Sequence, residues 1–433
     1  METVQIKPVV QEKTFGRKAL EFTIQYSVTI LFLIICIFAI FASKMQPVVI
    51  LSELLTRLTR NSFLVLSLII PVLAGMGLNF SITIGAMAAQ FALIWVVHWG
   101  ITGIAGIVAA VLISIPFAIF FGYFTGKALN KTRGQEMIAS MIIGFLANGL
   151  YQFLFLFAMG LWIPIVNPTL ILSKGFGVRT SFTLKGTVGG ALDNVYKMPL
   201  FSFVIMTSVL MGALFLYRYL KIHKNPAMAE TAKKTRVSII LAVVFILLSL
   251  LILLNPFGSK DLALFANLNI PVVTSVIVAL LCVFSNAIIN TKLGQDFRSC
   301  GQDQHISKIS GIHVDRVRII AIVISTVLAA IGQIIFLQNM GVVQTYGSHV
   351  QIALFSVAAL LVGGASVSKA TVGQALLGVV LFHTLFIVSP MAGKELLGDA
   401  QNGEYIRSFV AYGVIGLSLG LHAWKTAVQK NQK

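Results

Sequence analysis

Positions free of Asp, Glu, Lys and Arg form long uninterrupted runs: 22–43, 61–126, 137–173, 198–217, 237–259, 262–291, 319–368, 370–393 and 408–424. A charge at mid-bilayer costs at least about 2.5 kcal/mol, and a helix needs about 20 residues to cross, so each run predicts at least one membrane-spanning helix. The run 61–126 has room for three helices, with breaks near Gly77–Ser81 and Trp99–Gly103, and 319–368 has room for two. Pro164 and Pro168 argue for a loop after Ala158 rather than a further helix. The first run, roughly Ile24–Ala42, is longer than a signal-peptide core and lacks a small-residue cleavage pattern, so it counts as a span. The expected fold is all-α, a polytopic membrane helical bundle of about 12 spans, with 10 to 12 as the range.

Composition agrees. Of the 433 residues 57% are hydrophobic and 11% charged, where a soluble domain carries about a quarter charged residues. The net charge of +18 has a topological reading. Of the 32 Lys and Arg, 22 lie in 1–23, 127–135, 218–236, 292–318, Lys369 and 425–433, the segments that share one side if the termini do. The positive-inside rule makes that side cytoplasmic, with both termini inside, and leaves no reason to invoke nucleic acid. The chain then reads as one transmembrane domain, 1–433. It has a cytoplasmic N-terminal tail (1–23), a basic cytoplasmic loop (218–236), a long polar connection (292–318) and a cytoplasmic C-terminal tail (424–433). The external segment 160–197 is rich in Gly, Thr, Ser and Asn and is long enough to cap the bundle or meet an external partner. Three scattered cysteines make no disulfide framework.

Polar chemistry enters the apolar runs at few places. Gly75–Gly85 and Leu361–Gly373 are both rich in Gly, Ser and Thr, and the first carries Asn79. Paired breaks in distant halves of a chain point to a substrate path, lined here by Asn79, Ser81, Gly363, Gly364 and Ser366; small-residue packing and an ordinary turn explain them about as well. Asn148 and Gln152 are spaced i, i+4 on one helix face and are the best pair for a pore lining, although interhelical hydrogen bonding is the simpler reading for them too. Gln90, His98, Asn286, Gln333 and His383 read more simply as interhelical hydrogen-bonding residues, and no metal site is expected. No carboxylate falls well inside a span, which weighs against an ion-coupled carrier. No P-loop, H-E-x-x-H or G-x-S-x-G string occurs, so no ATP hydrolysis or other enzymatic chemistry is expected of this chain.

The segment Thr291–Arg318 carries a resemblance. Thr291, Gly294, Arg298, Gly301, Gly311, Ile312, Val314 and Arg316 match, at unchanged spacing, the coupling segment of ABC-importer permeases for ribose, galactosides, nucleosides and branched-chain amino acids. Asp303 replaces that family's usual Asn, and Ile306-Ser307 its usual Ala-Ala. Gly77-Leu78-Asn79-Phe80-Ser81 resembles the family's G-x-D/N-L-S element, and Glu136-Met137-Ile138-Ala139-Ser140 its E-x-I-x-[ST] helix start, a form leaning toward sugar and nucleoside members. The resemblance covers 61–158 and 270–423 and fails over 218–269, where the chain is longer than typical members.

The resemblance implies the permease subunit of a binding-protein-dependent importer, in the inner or plasma membrane of a prokaryote, moving a simple sugar or nucleoside. It implies a cytoplasmic ABC ATPase gripping Gly294, Arg298, Gly301, Gln302, Ile306, Gly311 and Arg316. A second permease chain, identical or paralogous, and an extracytoplasmic solute-binding protein complete the set. The chain would bind no cofactor, its partner using the ATP. A branched-chain amino-acid or vitamin permease, and an ion-coupled secondary carrier, remain the alternatives.

Overall fold

The computed structural model describes residues 26–165, 167–173, 175–222, 229–256 and 258–430. In chain order its helices are α1 (Ser27–Ser43), α2 (Pro47–Leu66), α3 (Ile69–Leu73), α4 (Ile82–His98), α5 (Gly103–Lys131) and α6 (Glu136–Phe153), the last extended by one π-helical turn, Leu154–Ala158. There follow α7 (Leu200–Ile222), α8 (Ala229–Leu254), α9 (Lys260–Ala266), α10 (Val272–Ile289), α11 (Lys292–Gln302), α12 (Gln304–Ile309) and α13 (Val314–Met340). The last three are α14 (Ile352–Val362), α15 (Val372–Leu397) and α16 (Ala400–Lys430). Four short strands, β1 (Ser181–Thr183), β2 (Lys197–Pro199), β3 (Asn269–Pro271) and β4 (Val342–Gln344), make two antiparallel pairs. Phe182 faces Val343 across β1–β4, and Met198 faces Ile270 across β2–β3.

The fold is all-α, and among the described residues eight helical stretches are long and apolar enough to cross a membrane. The shorter apolar helices α1, α4 and α14 lie among them. The run 61–126 divides as its breaks predict, α3 ending before Gly75 and α4 ending before Gly100.

Three boundaries differ from the sequence reading. The helix feeding the first break starts at Pro47 and takes in Glu53, Arg57 and Arg60, because those charges are compensated. Arg57 faces Glu53 at 4.0 Å, while Arg60 donates to Asn339 Oδ1 (3.3 Å) and stacks on Phe336. The basic connection 218–236 is mostly helix: Arg218 to Ile222 belong to α7 and Ala229 to Arg236 to α8. Likewise the C-terminal tail continues α16 to Lys430. Basic residues carry helices past an apolar span because their long side chains reach polar surroundings while the backbone stays paired. The N-terminal tail, 1–23, lies outside the described residues.

Burial separates a centre from a periphery. The hydrophobic windows of α13 and α15 are 61% and 72% buried, against 6% and 11% for α7 and α8. Small residues let the central helices touch. A Cβ on Gly85 of α4 would stand 2.3 Å from the Thr326 carbonyl oxygen of α13, and one on Gly126 of α5 would stand 3.0 Å from Ile319 Cα. Lipid is as apolar as leucine, so close packing of this kind, rather than hydrophobic exclusion, holds membrane helices together. The α7–α8 hairpin has few buried side chains and joins the rest through a small cluster, Leu200, Leu268 and Ile270 against Val48, Leu51 and Leu55.

Candidate functional site

Two regions concentrate the polar chemistry. The first is at mid-bundle. Helix α14 has 11 residues, about 16 Å of helix, too short for a bilayer core of about 30 Å. The missing length is the non-helical segment 345–351, which enters the bundle between β4 and α14. Its backbone lies where only protein-lined irregular structure is tolerated.

At its centre is His349, 1% exposed. Its Nδ1 lies 2.8 Å from Gln90 Oε1, midway along α4, and its Nε2 lies 2.7 Å from Asn148 Oδ1, midway along α6. The Tyr151 hydroxyl donates to Gln90 Oε1 (3.0 Å), and Gln152 Nε2 to Asn148 Oδ1 (3.4 Å). A neutral imidazole satisfies both partners if the Gln90 carboxamide is turned over, so that Gln90 Nε2, otherwise unpaired, donates to His349 Nδ1 and to the Tyr151 hydroxyl while Nε2–H of His349 donates to Asn148 Oδ1. Gln333 Nε2 of α13 holds the neighbouring Ser348 carbonyl (3.3 Å).

A cavity lies on either side of this segment. One, of about 550 Å³, is lined by Asn61, Gln344, Ser348, Gln351, Ser356 and His383 among apolar side chains. The other, of about 420 Å³, is lined by Phe80, Thr83, Asn148, His349 and Tyr412. Val350 and Gln351 line both, and among the described residues no Asp, Glu, Lys or Arg lines either.

The path residues expected from sequence fall in three places. Asn148 lines the second cavity, with Gln152 bonded to it one turn away. Asn79 and Ser81 sit in the turn between α3 and α4, where Asn79 Oδ1 accepts from the Ser81 backbone N–H (3.0 Å) and hydroxyl. Ser140 Oγ of α6 accepts from Phe80 N (3.1 Å) in the same turn. Gly363, Gly364 and Ser366 form the turn between α14 and α15. Gly363 lies so close to α15 that a Cβ there would meet the Gln374 carbonyl oxygen at 1.8 Å, and Ser366 Oγ accepts from Lys369 N (3.1 Å). The two glycine-rich breaks are thus turns at the ends of spans, and they meet: Val367 Cγ1 packs 3.2 Å from the position a Gly77 Cβ would take.

The second region is the 292–313 segment, at the same end of the bundle. Thr291 caps α11, its Oγ1 accepting from Gly294 N (3.3 Å), and Gly294 fits where a Cβ would strike the Ile288 carbonyl at 2.3 Å. Phe297, Cys300 and Ser307 turn inward. Arg298, Gln302 and Arg316 are exposed, as are the apolar Ile306 (62%) and Ile309 (75%) of α12. Gly311, at φ +82, lets the chain leave α12 for α13.

Asp303 takes the capping place on α12. Its carboxylate accepts from the backbone N–H groups of Ile306 (3.0 Å) and His305 (2.7 Å), and these two bonds hold its pKa below the ordinary value. Asn caps as well as Asp, which explains why this departure from the family pattern preserves the local geometry.

Gly301 faces the bundle. A Cβ on it would stand 2.2 Å from the Leu73 carbonyl oxygen, and one on Gly75 would stand 2.8 Å from Gly301 Cα. Behind it lies a cluster that sequence reasoning did not single out. Arg318, fully buried in the first turns of α13, pairs with Glu136 at the start of α6 and donates to Gln304 Oε1 of α12 (3.2 Å). An Arg at the edge of a span resembles a topology signal, and its burial is visible only once α6, α12 and α13 converge. His349 was missed for a related reason, lying in what reads as a connection between two spans. Among the described residues no group of three metal-ligating side chains occurs.

The family model described as branched-chain amino acid transport system, permease component, matches residues 144–419. No curated protein matches the chain. No solved structure matches it.

Proposed function

The chain belongs to the permease component family of branched-chain amino acid transport systems, and from that premise we propose that it forms the path of a binding-protein-dependent ABC importer for a simple sugar or nucleoside. Membership makes it a multi-pass membrane permease that is not itself catalytic, with ATPase and binding-protein partners of the general kind such systems use. The finer reading rests on the two regions described above. The topology proposed is that of about 12 spans with both termini cytoplasmic, which puts α11 and α12 in the cytoplasm and 160–197 outside.

The observation that carries the ATPase assignment is the face of α12. Ile306 and Ile309 are apolar, exposed and flanked by the polar Gln302 and Arg298, on a segment whose opposite face is anchored by Gly301, Phe297 and Arg318. Of the residues expected to grip the ATPase, Arg298, Gln302, Ile306 and Arg316 are exposed and available to it, whereas Gly294 and Gly301 shape the segment from within and the exposed Gly311 turns it at its end. Helix α12 then acts as a lever whose fulcrum is the Gly75–Gly301 contact. A second permease chain, identical or paralogous, would carry the matching lever.

The solute reading is supported by the cavity linings, which hold Asn, Gln, Ser, His and Tyr but no charged side chain. A zwitterionic amino acid would bring an ammonium group with no carboxylate to receive it. Asn148 and Gln152 remain the polar path residues, and Asn79, Ser81, Gly363, Gly364 and Ser366 serve the path as the hinge beneath it.

The test is purification of the chain from its native membrane in mild detergent, followed by reconstitution with whatever co-purifies. Recovery of a P-loop ATPase, with ATP-driven uptake of labelled ribose or uridine and none of leucine, is the expected result. Leucine uptake would overturn the solute reading alone. A solitary chain that transports on an ion gradient would overturn the importer reading.

A further inference from the structure

We propose that His349 is the gate of this path: it closes the passage between the two cavities by bonding to Gln90 and Asn148, and a solute passes by taking its place at those partners. The inference deepens the permease reading and rests on it. Residues 347–351 separate the cavities: Gly347 and Ser348 line one, His349 lines the other, and Val350 and Gln351 line both. Turn bonds shape the segment from within, Ser348 N donating to the Gln344 carbonyl (3.0 Å) and Val350 N to the Gly347 carbonyl (3.2 Å), and contacts at its two ends tie it to its neighbours.

The outer end hangs from the external lobe. Strand β4 pairs with β1, Thr345 N donates to the Thr180 carbonyl (2.9 Å), Thr345 Oγ1 to the Arg179 carbonyl (2.6 Å) and the Tyr346 hydroxyl to the Val178 carbonyl (2.8 Å). The inner end is held by His349 between α4 and α6 and by Gln333 on Ser348. A displacement of the lobe therefore pulls directly on the segment that carries His349.

Hydrogen-bond exchange makes such a gate selective. Withdrawing His349 strips a buried imidazole of both its bonds and leaves Gln90 and Asn148 one partner short, with only Tyr151 and Gln152 still bonded to them, which opposes opening. A solute with hydroxyl, amide or ring-nitrogen groups restores those bonds as it enters, and an apolar solute of the same size does not. A site built to hydrogen-bond its ligand rejects the analogue that lacks the group, because its own polar atoms are then stranded.

The test uses the full-length chain in proteoliposomes, with passive permeability to glycerol and to ribose followed by stopped-flow light scattering. Wild-type vesicles should be as tight as empty ones, and His349→Ala should leak both solutes about tenfold faster or more, the effect of losing little more than one strong hydrogen bond. His349→Asn, which keeps one bond and disturbs packing less, should leak to an intermediate degree and decides the matter if the alanine variant does not insert. Variants as tight as wild type would overturn the gate. ATP hydrolysis by the wild-type chain assembled with its ATPase and binding protein is read separately. Its failure to respond to the binding protein would count against the importer reading while the leak data still decide the role of His349.

Discussion

Asp303 shows how one side chain sets the geometry of the segment proposed to face the ATPase. Its carboxylate closes the first turn of α12, and the two backbone N–H groups that bond it favour the ionised form. A carboxyl whose folded pKa is depressed contributes stability that is complete above its unfolded pKa and is lost as pH falls through the folded value. Hydrogen exchange at the His305 and Ile306 amides should therefore stay slow, after correction for intrinsic rates, from neutral pH down to about pH 4, and speed up below it. Asp303→Asn should keep the protection and lose that pH dependence, whereas Asp303→Ala should lose the protection at every pH. Sequence reveals the cap, since Asp followed by a short polar helix is a local signal. It does not reveal which way the capped helix faces, and the exposure of Ile306 and Ile309 follows from burial of Phe297, Cys300 and Ser307 on the other side.

At the scale of elements, what matters is which helices are tied to which. Arg318 joins α13 to α6 and α12 through Glu136 and Gln304, and Gly301 joins α11 to the turn before α4. Helices α4 and α6 are the ones that carry Gln90 and Asn148, so the proposed lever and the polar cluster at mid-bundle share their supports. Removing one partner of a buried ion pair costs about 3–5 kcal/mol, while replacing both with apolar groups is often neutral. Glu136→Leu and Arg318→Met should each lower the thermal unfolding temperature in detergent markedly, and the double variant should recover most of the loss. If the double variant melts lower than both singles, the pair is not the tie described here. Glu136 is legible as a helix start from sequence, yet its partner 182 positions away is not, because no local pattern distinguishes a buried Arg from a topological one.

For the whole molecule the division is between an interior of α4, α13, α14 and α15 and a periphery facing lipid. Leu360 of α14 is fully buried, while Leu247 of α8 is 61% exposed, although both sit in equally apolar stretches. Leu360→Ala should destabilise the chain by about 2–5 kcal/mol, the range for a core cavity. Leu247→Ala should stay within about 0.5 kcal/mol, as surface changes do. Denaturant titration in mixed micelles separates the two outcomes, and equal effects would mean that the α7–α8 hairpin is packed against more than the small Leu200–Leu268–Ile270 cluster.

By itself the sequence determined the membrane class and the all-α fold, and it supplied an expected sidedness and the segment that resembles an ATPase coupling element. Each of these follows from local terms: the desolvation cost of a charge in lipid, the length of an apolar run, the position of Lys and Arg, a cap or a glycine at its place. Tertiary structure decided the rest. The glycine-rich breaks proved to be turns that touch one another and the coupling segment, the unwound stretch proved to be 345–351, and His349 met Gln90 and Asn148 across 259 and 201 residues. A buried polar side chain takes whatever partner the packed helices bring within about 3 Å, and that choice is made by the assembly of the bundle rather than by its neighbours in sequence.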